Sequence, residues 1–158
     1  MNELKIDVGM WVPDVSLTDQ DGNAVSLRDF SGQKVILFFY PQDDTPTCTT
    51  EACNLRDNHL LWVEKGYQVI GVSRDTEKSH RKFIAKYNLP YPLLSDPDRK
   101  LIDAFGLWGE KLLFGNLVMG TYRTTFVINE EGMITHVVRE VKSKDHTSQL
   151  LEMLGLEQ

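Results

Sequence analysis

The run Val35-Ile36-Leu37-Phe38-Phe39-Tyr40 constrains the chain more than any other stretch. It is continuously apolar and rich in aromatic and β-branched residues, the pattern of a strand covered on both faces, which needs packing layers above and below it. Pro41 ends the run, and Thr45-Pro46 opens a helix. Threonine there can accept a bond from an orphan amide, and proline at the first helical position wastes no donor. The spacing predicts a helix from Pro46 to Glu64, stopped near Gly66.

Both cysteines of the chain, Cys48 and Cys53, fall in this helix. Cys48 would occupy the first turn, where free N–H groups and the positive end of the helix dipole favour an anion. A thiolate is such an anion, and a capped helix N-terminus after a buried strand is a place where thiolates are activated. In an unbroken helix the two Cα atoms would be about 8.5 Å apart. A disulfide tolerates only about 7 Å. If the two pair, the first turns must unwind, and the segment has two redox-dependent conformations. The plain alternative is two small buried residues.

Val15–Thr18 and Ala24–Leu27 flank Asp21-Gly22 as an N-terminal hairpin. Tyr67–Ser73 is a second apolar strand, and Glu77–Tyr87 an amphipathic helix with Phe83, Ile84 and Tyr87 inward, closed by Pro90. Tyr91–Leu94 can be a short strand and Arg99–Phe105 a short helix ending at Gly106; Gly106–Gly120 reads as a long functional loop. Tyr122–Ile128 and Met133–Val138 form a second hairpin, followed by a helix at Ser148–Leu154. Strands joined through a long helix pair in parallel, and terminal hairpins add antiparallel strands, so the class is α/β with a mixed central sheet flanked by helices.

At 158 residues the chain is expected to be one domain over 1–158. A formal charge of -6 and a pI near 5.2 disfavour nonspecific binding to nucleic acid or anionic lipid. The basic group Arg74, Lys78, Arg81, Lys82 and Lys86 has the spacing of a solvated helix face. Met1–Asp7 alternates charged and apolar residues, unlike a signal peptide, and no run approaches a membrane span. The expectation is a cytoplasmic protein, where two cysteines point to redox or catalytic use.

The stretch Pro41-Gln42-Asp43-Asp44-Thr45-Pro46-Thr47-Cys48 resembles the active-site loop of peroxiredoxins, with signature Pro-x-x-x-Thr-x-x-Cys. The second cysteine at Cys53 narrows the resemblance to the Q type, also called bacterioferritin comigratory protein. Agreement extends along the chain through Pro13, Ser79-His80-Arg81-Lys82-Phe83, Leu93-Leu94-Ser95-Asp96, Trp108-Gly109-Glu110-Lys111 and Arg123-Thr124-Thr125-Phe126-Val127-Ile128.

The resemblance implies a thioredoxin-like fold with an N-terminal hairpin extension. It implies a thiol peroxidase acting on hydrogen peroxide and organic hydroperoxides, with thioredoxin or a similar dithiol as reductant and no flavin, haem or metal cofactor. Cys48 would be the peroxidatic nucleophile and Cys53 the resolving thiol, joined in a redox disulfide. Arg123 would bond the reacting atoms, Thr45 the peroxide, and Pro41 would shield the thiolate from water. Glu51 would either orient an arginine or be an ordinary first-turn carboxylate. Asp43 and Asp44 are expected to point to solvent, since like charge beside a thiolate disfavours it. Thr47 stands where the Q type often has glycine, which bears on the rate of local unwinding.

A thiol of ordinary pKa is about 3% ionised at pH 7, so full deprotonation gains only about thirtyfold. Donors aimed at the leaving oxygen must supply the rest. A zinc site is the competing chemistry, but His59, His80, His136 and His146 lack paired metal spacing. A disulfide exchanger would normally place two residues between its cysteines. A noncatalytic interaction module or holdase is the remaining reading, with Leu112, Leu113, Phe114, Leu117, Val118 and Met119 as its surface, although these residues are expected to complete the core or line the site. A monomer or weak homodimer is expected.

Overall fold

The computed structural model describes residues 5–157. Met1–Leu4, part of the stretch considered above for a targeting signal, lie outside the described residues. The central sheet has seven strands in the order β2-β1-β5-β4-β3-β8-β9. Its middle is parallel: β3 (Lys34–Phe39) pairs with β4 (Tyr67–Ser73), which pairs with β5 (Leu93–Ser95). On the other flank β8 (Thr124–Ile128) runs antiparallel to β3, and β9 (Ile134–Val138) antiparallel to β8. The N-terminal hairpin, β1 (Ser16–Thr18) with β2 (Ala24–Ser26), extends the opposite edge through Thr18 beside Ser95.

The unbroken apolar run of β3 follows from this central place. Ile36, Phe38 and Tyr40 face one core, with Ala52, Leu55, Trp62, Phe83 and Leu150. Val35, Leu37 and Phe39 face the other, with Leu101, Ile102, Phe105 and Phe126. Helices α1 (Pro46–Asp57), α2 (His59–Glu64), α3 (Glu77–Tyr87) and α5 (His146–Leu154) contribute to the first layer, and α4 (Lys100–Phe105) to the second. Among the described residues no helix is long and apolar enough to cross a membrane.

Several expected boundaries change. The single helix expected over Pro46–Glu64 is two, because Asn58 leaves helical geometry at φ -110°, ψ 15° and its side-chain amide donates to Asn54 O at 2.9 Å. α3 closes at Asn88 in the left-handed region (φ 53°), before Pro90 is reached. Gly106–Gly120 is not an irregular loop but mostly a hairpin, β6 (Trp108–Leu113) and β7 (Asn116–Thr121). Phe114 (φ 51°) and Gly115 (φ 82°) turn it, both with the positive φ that a two-residue hairpin favours. Its apolar residues do not complete a core: Leu112 is 74% and Phe114 94% exposed, since these strands pair with each other apart from the main sheet.

Candidate active site

Pro41 follows β3 after Tyr40, and Pro41–Thr45 carries the chain to α1. Thr45 holds the N-cap position, but its hydroxyl makes no capping bond. It donates to Gln42 O at 3.0 Å, so its hydrogen is committed and its lone pairs are left free to accept. Cys48, the third residue of α1, is buried at 1% exposure.

Arg123 lies just before β8 and forks over this sulfur. One guanidinium nitrogen donates to Cys48 Sγ at 3.2 Å and the other to Glu51 Oε1 at 2.6 Å. Of the two readings of Glu51, an arginine partner and an ordinary first-turn carboxylate, the first has its contact. Glu51 is fully buried, and desolvation pushes its carboxyl up to about 7 against the opposing pull of Arg123. Burial alone would lower Arg123, but Glu51 and Cys48 outweigh it and the guanidinium stays raised. Lys111 approaches from the β6–β7 hairpin, its chain crossing Gly120 and its amine donating to Thr121 O at 3.0 Å. A β-carbon on Gly120 would meet Lys111 Cδ at 3.0 Å, so a larger residue there would push the lysine chain aside.

Cys53 lies farther along the same helix as a half-buried free thiol. Burial raises its pKa, partly offset by Arg56. The helix is continuous from Pro46 through Cys53, so the two cysteines are held apart as the helical rise requires. The structure thus brings together Cys48, Arg123 and Glu51, with Thr45 and Pro41 on the adjoining loop, and does not bring Cys53 to Cys48.

A model of the AhpC/TSA family matches residues 8–137. Peroxiredoxin Bcp of Bacillus subtilis is 44% identical over 151 residues, 96% of either chain, and peroxiredoxin Bcp of Escherichia coli is 42% identical over 98% of this chain and 97% of its own. The chain belongs to the AhpC/TSA family, as a peroxiredoxin of the Q type. The bacterioferritin comigratory protein of Xanthomonas campestris superposes on this peroxiredoxin with a TM-score of 0.85 at 35% identity, covering 94% of this chain and 98% of that one. Peroxiredoxin Q of Xylella fastidiosa gives 0.87 at 32% identity, covering 95% and 96%. The fold is thereby thioredoxin-like. Members of the family act on peroxides with a thioredoxin-type reductant, so the chain is a peroxidase.

Asp43 corrects an expectation. Of the two aspartates only Asp44 points to solvent, held there by Lys86 and Tyr87 at 2.8 and 2.7 Å. Asp43 turns inward, where its carboxylate accepts from Tyr40 Oη at 2.6 Å, Ser79 Oγ at 2.8 Å and His80 Nδ1 at 2.7 Å. These three donors replace water around the buried charge, and together the two aspartates clamp the loop before α1 to α3. Asp43, Asp75 and His80 are also the three-ligand cluster found among the described residues, and it contains neither cysteine.

Nothing in the sequence gave His80 or His146 a role in the site. His80 entered only through the Ser79–Phe83 agreement and, like His146, as a histidine without metal spacing. His146 gave no signal, because its neighbours in space lie far away in the chain.

Proposed function

We propose that Cys48 is the peroxidatic nucleophile and Cys53 the resolving thiol of this peroxiredoxin. The observation that carries the reading is the 3.2 Å contact from Arg123 to a buried sulfur in the first turn of α1. The Cys48 thiolate attacks one peroxide oxygen and the O–O bond breaks. The departing oxygen leaves with the bonding electrons and becomes water or an alcohol on taking a proton, while Cys48 becomes a sulfenic acid. Arg123 supplies fixed positive charge where charge shifts from sulfur to oxygen, a contribution already oriented before reaction. Thr45 would accept the hydroperoxide O–H, the role its committed hydrogen allows, and Pro41 would keep water from the sulfur.

Resolution needs a change of shape. The thiolate of Cys53 attacks the sulfenic sulfur, water leaves, and a disulfide forms once the start of α1 has unwound. A thioredoxin-like dithiol then reduces the disulfide by exchange. Hydrogen peroxide and organic hydroperoxides are the substrates of this reading. The bacterioferritin comigratory protein of Xanthomonas campestris is described as having alkyl peroxide reduction activity, which supports the organic class. A reducing cytoplasm and a monomer or weak homodimer, acting as one domain over the whole chain, complete the proposal.

Thioredoxin-coupled consumption of hydrogen peroxide and an organic hydroperoxide tests it, with thiol states read by mass spectrometry. Cys48→Ser should abolish turnover, and oxidised wild type should carry an internal disulfide. Unchanged turnover in Cys53→Ser would remove Cys53 from the mechanism.

A further inference from the structure

Behind Arg123 lies a carboxylate oxygen with no use in the scheme above. Glu51 Oε1 accepts from Arg123, whereas Oε2 is buried and has no hydrogen-bond partner among the described residues. Its polar neighbour is His146 Nε2 at 3.6 Å, also fully buried. A buried carboxylate oxygen without a donor is costly, and one facing a lone pair is more so.

The hydrogen bonds identify what His146 presents. The Gln149 amide is fixed, since its Oε1 accepts from Lys142 N at 3.0 Å and its nitrogen donates to Glu140 O at 2.8 Å. That same Oε1 lies 3.0 Å from His146 Nδ1, so Nδ1 carries a hydrogen. The neutral ring then has its lone pair on Nε2, which takes the hydroxyl hydrogen of Thr125 at 2.8 Å. An imidazolium is disfavoured here: burial first, and Arg123 second, hold His146 down to about 4 against the support of Gln149. That lone pair is taken by Thr125, and 3.6 Å is too long for a hydrogen bond, so a proton on Glu51 Oε2 acts by removing a bare carboxylate charge from beside the ring nitrogen.

We infer that Glu51 is a proton store for the peroxidatic reaction, holding on Oε2, against His146, the proton that Cys48 gives up. The inference rests on Cys48 being the reacting thiol. Arg123 touches both acids, and its single charge is fully available to the Cys48 thiolate only while Glu51 is neutral. The pair therefore carries one negative charge and one proton between them. In the chemical step the sulfur–oxygen bond forms and the O–O bond breaks. The departing oxygen takes a proton to become water or an alcohol, and Glu51 releases its own as the charge of Arg123 returns to it, so the products are sulfenic acid and ionised Glu51 with no net proton taken from solvent. Glu51 acts through Arg123 and is a positioning residue in this scheme. The ionisable groups facing Glu51 are Cys48 on the same helix, Arg123, His146, Tyr91 and, nearer the sulfur, Lys111; desolvation raises the Glu51 carboxyl in the same sense as the geometry.

The test is proton stoichiometry in a single turnover. A Cys53→Ser background stops the cycle at the sulfenic acid, one equivalent of hydrogen peroxide is added near neutral pH in weak buffer, and a pH indicator reports uptake. With Glu51 present, uptake should be close to zero per Cys48 oxidised. Glu51→Gln keeps an acceptor for Arg123 and places an amide donor toward His146, but stores no proton, so uptake should rise toward one. Equal uptake in the two proteins overturns the inference. A measurement free of that substitution is the infrared difference spectrum between reduced and sulfenic forms of the Cys53→Ser protein. It should lose a protonated-carboxyl band and gain a carboxylate band on oxidation; no carboxyl change overturns the inference. Reaction of Cys48→Ser with peroxide at the rate of the parent would instead remove the mechanism on which the inference rests.

Discussion

Replacing Glu51 by glutamine should change how stability depends on pH, and replacing His146 by asparagine should change it in the opposite sense. Glu51 is raised from an ordinary 4.5 to about 7 in the folded protein. The stability it contributes is fully present below its unfolded value and is lost as pH rises through about 7. His146 is depressed from 6.5 to about 4. Its contribution is present above the unfolded value and lost as pH falls toward 4. Each displacement corresponds to roughly 3 kcal/mol. Between 4.5 and 6.5 the folded protein carries a proton on Glu51 and the unfolded chain carries one on His146, so in the wild type the two slopes cancel. Glu51→Gln should therefore gain roughly 3 kcal/mol relative to wild type as pH rises from 4.5 to 7. His146→Asn should lose a similar amount relative to wild type between 4 and 6.5. Urea unfolding at a series of pH values reads both, and subtracting the wild-type curve removes the titrations the proteins share. Differences that do not vary with pH would refute the placement of that proton.

Arg123→Ala should lower kcat/KM for peroxide by about 10²- to 10³-fold, the usual effect of removing a preorganised donor; near-normal kinetics would show that the 3.2 Å contact to the sulfur does no chemistry. Asp43→Ala leaves the buried partners Tyr40, Ser79 and His80 without their acceptor, so denaturant melts should show a loss of about 3–5 kcal/mol. Gly71→Ala should cost about 1–3 kcal/mol in the same assay, because the added carbon would lie 2.7 Å from Leu93 and 2.9 Å from Phe38 inside the sheet. Cys53→Ser under repeated peroxide exposure should accumulate Cys48 sulfinic acid by mass spectrometry, and recovery of fully reduced Cys48 would count against its resolving role.

Wherever a local pattern carried its own physical cause, it was legible in the sequence. The apolar run at Val35–Tyr40 is unbroken because β3 lies between two cores. Proline at the first position of α1, Gly106 after α4 and Asp21-Gly22 between β1 and β2 mark boundaries through backbone chemistry that needs no distant partner. An arginine partner was one of two readings left open for Glu51, and which arginine it would be was not legible. The helix break at Asn58 was not visible, because it depends on a side-chain amide taking a helix carbonyl where neither glycine nor proline marks the stop. The hairpin over Trp108–Thr121 was hidden for a related reason: its residues are apolar enough to pass for core, and only their pairing shows that they stand away from it.

The chain by itself determined a buried central strand, a thiol in the first turn of the helix that follows, and a second thiol too far along that helix to reach it without unwinding. These depend on short-range sterics, helix geometry and apolar periodicity. Only the tertiary structure decided that Asp43 turns inward to His80 and that Arg123 divides its charge between Cys48 and Glu51. It also decided that His146, 95 positions beyond Glu51, lies 3.6 Å from its free oxygen. The ionisation of a buried acid is set by whichever charges and lone pairs the fold places around it, and these arrive from α1, the start of β8 and α5 at once.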